Sequence, residues 1–355
     1  MNRKLTYLFL SFTFCLTSFG QTTDELAGRL QIFLGTLDAN ETNATHYSFD
    51  NPLRTEWTNL PVGLQDRPGI RYGDLREESK MAFHDVLTTL FSSQGYLKTQ
   101  NIMHLDDYLL EVYEIAYTRK EVNDEAMKEI RALNWGHGNY YLSIWGEPKA
   151  SENWAMKFEG HHISVNITQT DGQLAITPFF LGSDPSRVRV TQYAGMRPLS
   201  KEEDYGLELF NMLSETQKAQ ALIAMEFPRD IITSPDRPQM LSSYQGIRGS
   251  ELNEAQKAQL MDLLEEYLEN FERDRAGHYL QLLHDKGLDD IYFGWVGGDA
   301  RQTNHYYVIH GPDFMIEYDN AGWSRQGDHI HTIFRDKKND FGEDLLKAHY
   351  HKSKH

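Results

Sequence analysis

The stretch Asn304–Phe341 constrains the fold of this chain more than any other. It holds three strand-like runs, His305–His310, Phe314–Asp319 and His329–Phe334, and Gly311-Pro312-Asp313 joins the first two. So short a link can only turn a strand back beside its neighbour, because a parallel return needs a dozen or more residues. The runs therefore predict antiparallel sheet. They also concentrate donors for chemistry: His305, His310, His329, His331, Glu317, Asp319, Arg335 and Asp336.

Upstream, the period of the apolar residues alternates between helix and strand. Thr23–Leu37 has helical spacing, with Leu26, Leu30, Phe33, Leu34 and Leu37 apolar. Asn40–Asp74 is irregular. Asp74-Leu75-Arg76-Glu77 matches a capping box opening a helix to about Phe91, and further helices are predicted from Leu97 or Asp106 to Tyr117 and over Asn123–Leu133. Asn139–Trp145, Trp154–Thr168 and Gln173–Leu181 read as strands, the last two joined by an Asp171-Gly172 hairpin turn. Within Trp154–Thr168, strand alternation puts His161 and His162 on opposite faces, so only one of them is expected to face a common site. Residues about 200–285 return to helix, with capping boxes at Ser200/Glu203 and Ser214/Gln217 and a similar pattern at Asn253/Gln256. Strands resume at Ile291–Val296. The order predicts an α+β fold, a mainly antiparallel sheet or barrel-like layer flanked by helical segments. Pairing the two strand groups would bring His161 or His162 to the C-terminal stretch.

Residues 1–20 stand apart. Arg3 and Lys4, the apolar Leu5–Leu16 and the small residues before Gln21 predict a signal peptide, hence a periplasmic or secreted protein with residues 21–355 as one domain. No integral membrane segment is expected after cleavage. The only cysteine, Cys15, falls in that segment, so the mature chain would offer a metal only His, Asp, Glu or water. A formal charge of −17 argues against a nucleic-acid surface.

His329 and His331 are two apart in a strand-like run and so present both imidazoles on one face. Two or three histidines plus a carboxylate is a common set for zinc or non-haem iron. His305 is the preferred third ligand, with His162 and His161 close behind. Glu317 is the candidate ligand or general base, and Arg335 the candidate for positioning substrate. The competing reading makes these histidines buried struts bonded to Glu317, Asp319 and Asp336. No GxSxG, P-loop, HExxH or GxGxxG fingerprint occurs.

GHHISVN (160–166), TPFFLGSDP (177–185), HYYVIHGPDFMIEYDN (305–320) and HIHTIFRDKKNDFGEDLL (329–346) resemble the domain-of-unknown-function family 3500, over about Arg67 to Tyr350. The resemblance implies an exported protein, with family histidine motifs at His161, His162, His305, Glu317, His329 and His331, and no settled activity. The segment after EYDN departs from the family pattern at Trp323 and Arg325.

The expectation is an exported protein with a His/carboxylate site for a divalent transition metal (Zn, Fe, Cu or Mn), a metal-dependent oxidoreductase or hydrolase acting on an unknown small molecule. The alternative is a non-catalytic binding protein whose aromatic residues grip a small molecule or glycan.

Overall fold

The computed structural model describes residues 18–228, 230–235, 241, 243–321 and 327–352. Trp323 and Arg325 lie outside the described residues. The strands are β1 (His46–Tyr47), β2 (Ile70–Arg71), β3 (Tyr141–Trp145), β4 (Trp154–Gly160), β5 (Ile163–Thr170), β6 (Gln173–Ala175), β7 (Phe179–Ser183), β8 (Ile247–Arg248), β9 (Tyr292–Gly297), β10 (His305–His310), β11 (Phe314–Asp319) and β12 (Ile330–Asp336). They form one 12-stranded sheet in the order β1-β3-β4-β5-β7-β12-β11-β10-β9-β8, with β2 and β6 paired beside it on β3 and β5. The sheet is open, not closed into a barrel, and mainly antiparallel; among the pairs of named strands only β1–β3 runs parallel. The upstream and downstream strand groups do pair, and they meet at β7–β12.

The two faces are covered differently. On one face, Ile163, Val165, Leu181, Tyr307, Ile316 and Tyr318 pack into the main core with Leu30, Phe33, Phe83, Leu87 and Leu264. Those partners come from the helices α1 (Ser18–Thr36), α3 (Glu77–Leu90) and α8 (Glu254–Leu268). The opposite face is covered by irregular chain. Trp57 and Ile231 pack on Phe180 and Ile333, and Phe227, Ile232 and Leu241 pack on Tyr306, Val308 and Met315. Between α1 and α3 lies α2 (Ala39–Thr45), and α4 (Ser93–Thr118) and α5 (Asp124–Ala132) precede β3. In the later helical block, α6 (Ser200–Met212) and α7 (Glu215–Ala221) precede α8, with α9 (Arg273–Lys286) after it and α10 (Glu343–Lys352) closing the chain.

Several expectations are corrected. Trp154–Thr168 is not one strand: His161 and His162 form the turn between β4 and β5, with Gly160 paired to Ile163. The turn lacks the usual Gly or Asn, and His162 itself takes φ +67°, the left-handed region that histidine enters more readily than most residues. Gln173–Leu181 breaks before Pro178, which has no N–H to donate to a ladder. Asp171 (φ +50°) and Gly172 (φ +75°) do make the expected hairpin turn. Asp74 and Ser200 cap nothing. Asp74 accepts from Arg71 at 2.7 Å, and Glu203 pairs with Arg197. The boxes at Ser214 and Asn253 form, and their Gln217 and Gln256 amides bond each other reciprocally at 2.9 Å.

Candidate metal centre

The register of three neighbouring strands builds the centre. His331 on β12 sits opposite Gly182 on β7, and Gly182 N–H donates to the His162 carbonyl at 2.7 Å. On the other side His331 sits opposite Asp319 of β11. Side chains aligned across strands share a face, so His331 and Asp319 point to the side covered by irregular chain, and the turn brings the His162 ring to 5.2 Å from that of His331. Gly182 makes the floor. A Cβ there would lie 2.6 Å from His162 Cδ2 and 3.0 Å from His331 Cδ2, closer than a side chain tolerates. His329, just before β12, completes the set.

The Nε2 atoms of His162 and His329 are 2.8 Å apart, and those of His329 and His331 are 3.1 Å apart. Donor atoms of all three residues lie within 4.8 Å of one another. Metal–nitrogen bonds of about 2.0–2.1 Å at tetrahedral angles set such nitrogens about 3.3 Å apart, so small ring movements admit an ion. The three residues can hold a metal.

Carboxylates stand behind the imidazoles. His331 Nδ1 donates to Asp230 Oδ1 at 2.7 Å, and His329 Nδ1 is 3.6 Å from Asp184 Oδ2. A carboxylate on Nδ1–H leaves the Nε2 lone pair free and fixes the ring. Burial first, then the neighbouring imidazoles, push His162 and His329 well below the usual histidine range, so both are neutral near pH 7. Burial opposes charge on His331 as well, but Asp230, Asp319 and Asp184 outweigh it and raise it to about 9. Burial, then Asp328, raises Asp184 to about 7. The acids thus favour a positive charge among the rings.

His161 is adjacent but differently employed. Its Nδ1 donates to Asp106 Oδ1 of α4 at 2.7 Å, and the Tyr140 hydroxyl lies 3.2 Å from Asp106 Oδ2 and 2.6 Å from the His161 carbonyl. The His161 ring centroid lies 3.6 Å from that of His162, the two planes tilted by 31°. Both histidines of the pair therefore reach the centre, because a turn, unlike a strand, does not send neighbours to opposite faces.

Among the predicted residues, the structure brings His161, His162, His329 and His331 together. His305 is not with them. On β10 it faces the helical side, stacked between Trp295 (5.0 Å) and Tyr318 (5.3 Å), with Nδ1 near the Thr303 carbonyl. Its strand parity excludes it. Glu317 and Arg335 lie on the right face, one and two rungs below His331, but they grip backbone. Glu317 accepts from Ile232 N at 2.7 Å, Thr233 N at 3.0 Å, the Thr233 hydroxyl and Tyr306 OH. Arg335 donates to the Thr233 carbonyl at 2.7 Å and to Asp340. Together they fasten the segment that delivers Asp230. Asp336 accepts from Tyr279 OH and from Lys338 N and Asn339 N.

Sequence reasoning missed Asp106, Asp184, Asp230 and Gly182. Asp184 and Gly182 do fall in the conspicuous TPFFLGSDP segment, but no local spacing marks Asp106 or Asp230.

An open, mainly antiparallel α+β sheet carrying a buried histidine cluster braced by aspartates is the class of protein defined here. The chain matches the model of the family described as "Protein of unknown function (DUF3500)" over residues 19–343, and it belongs to that family. No curated protein and no solved structure matches it. Among the described residues, no helix is long and apolar enough to cross a membrane.

Proposed function

We propose that this protein is a metal-dependent hydrolase with His162, His329 and His331 as the metal ligands. The convergence of three Nε2 atoms at 2.8 and 3.1 Å carries the reading. N- and O-donor sets suit zinc, iron, copper or manganese, and three imidazoles, each neutral once its proton has given way to the ion, favour zinc with an open fourth position. Such ligands leave the ion's double charge undiminished, and when bound it would act as a Lewis acid and lower the pKa of a coordinated water. This is the ground for preferring hydrolysis to redox chemistry. His161, oriented by Asp106, is the group placed to take up a proton beside the centre, the arrangement of an oriented general base. Glu317 and Arg335 position the Asp230 segment and do not meet substrate. The basic start and apolar core of residues 3–16 support export to the periplasm or outside the cell.

The test is elemental analysis of the mature, untagged protein beside the His329→Ala/His331→Ala variant, followed by ester, amide and phosphoester hydrolysis assays with and without chelator. Near-stoichiometric metal, lost in the variant, with a chelator-sensitive hydrolysis restored by Zn2+, is the expected result. A metal-free wild type that cannot be reloaded would sink the reading and turn attention to non-catalytic binding. N-terminal sequencing of the exported chain tests the leader.

A further inference from the structure

We propose a second divalent-cation position on the far side of His331, held by Asp319, Asp230 and His331 Nδ1, so that the His331 ring bridges two ions. The inference rests on the three-histidine reading.

Asp319 supplies the telling atom. Asp319 is 1% exposed, its Oδ1 accepts from Ala321 N at 2.9 Å, and its Oδ2 is buried without a hydrogen-bond partner among the described residues. That Oδ2 lies 4.0 Å from His331 Nδ1, while Asp230 Oδ1 lies 2.7 Å from the same nitrogen. Donor atoms of the three residues fall within 4.8 Å of one another. Orienting a ligand histidine needs one carboxylate on its N–H, and Asp230 already provides it. Asp319 is then a second carboxylate converging on a single N–H, with an oxygen left over. A buried carboxylate oxygen without a donor is costly, and a cation supplies what a donor would.

The fold keeps this group in place. Asp319 is side by side with His331 through the β11–β12 register, and Asp230 is delivered by the Glu317 and Arg335 grip on Ile232 and Thr233. One imidazole nitrogen and two carboxylates suit Zn2+ or Mn2+, with water filling the remaining positions. Binding there takes the Nδ1 proton from His331 and releases it to solvent, as metal binding to imidazole generally does. The ring then offers Nε2 to the first ion and Nδ1 to the second.

Zinc stoichiometry tests this directly. Wild type, Asp319→Asn, Asp230→Asn and His329→Ala are dialysed against Zn2+, desalted and analysed for metal, with circular dichroism confirming the fold of each. The expectation is about two Zn2+ per wild-type chain and about one in Asp319→Asn and in Asp230→Asn. A wild type that holds one ion, lost in His329→Ala, overturns the second position and leaves the three-histidine centre standing. Two ions retained in both aspartate variants overturn it as well. No ion in any protein overturns both readings. If Asp319→Asn fails to fold, Asp230→Asn, altered in the irregular covering segment, decides the question by the same ion count.

Discussion

His331 Nδ1 donates to Asp230 Oδ1 at 2.7 Å across 101 residues of sequence. One partner belongs to a sheet strand, the other to the irregular cover, so this contact ties the two layers together at the centre. It also explains why Glu317 and Arg335 bind backbone. They hold Ile232 and Thr233, the residues that aim Asp230.

Glu317→Gln tests the grip. The carboxylate accepts from two backbone N–H groups and a hydroxyl of the covering segment. An amide would set a donor against at least one of those donors. We expect a loss of about 2–3 kcal/mol in urea unfolding, since charge-assisted bonds to buried groups are at stake. Hydrogen exchange at residues 231–233 should quicken. Unchanged protection there would show that the segment is held by other means.

Gly182→Ala tests the floor. The added methyl would press on the His162 and His331 rings, and overpacking costs about 1–3 kcal/mol. The chain should still fold, while competition with a chromogenic chelator should show metal affinity at least tenfold weaker. Wild-type affinity in this variant would mean that the rings have slack.

Lys98 donates to Glu202 at 2.8 Å and Glu266 at 2.6 Å, all buried between α4, α6 and α8. Lys98→Met strands two buried carboxylates and should cost about 3–5 kcal/mol. Adding Glu202→Gln and Glu266→Gln should recover most of it, because the penalty lies in the unpaired charges. A urea series on the three proteins measures both steps.

Acid should weaken the fold through His305, which burial lowers to about 4. The unfolded chain binds that proton near pH 6.5 and the folded chain only near 4. The contribution is therefore full above pH 6.5 and is lost as pH falls toward 4. Between pH 7 and 5 this amounts to about 2 kcal/mol. In His305→Gln the fall in unfolding free energy over that interval should shrink by this amount; an identical fall in both proteins would show that His305 has no part in it.

The strands around this core were legible because alternation and short links are local. His305–His310 and Phe314–Asp319 match their predicted limits. The pairing of the two strand groups was legible too, since His-bearing runs at both ends asked for a common sheet. What local pattern could not show was the His161–His162 turn, since its two central residues carry no ordinary turn signal. Nor could it show His305's exclusion, which depends on which face each register step assigns. Asp230 and Asp106 were hidden for a simpler reason: a covering segment and a helix bring them in from far along the chain. The Asp74 and Ser200 boxes failed because Arg71 and Arg197 compete for the acids.

The β7–β12 seam gives the centre a place in the life of the chain. Its histidines arrive on or beside strands that the ribosome makes far apart, before and after the whole 200–285 helical block. A chain stopped within that block carries His162, with His161 and Asp106 beside it, but neither His329 nor His331. Assembly of the three-histidine group thus marks a finished seam: it exists only in a molecule whose strands from before and after that block have met.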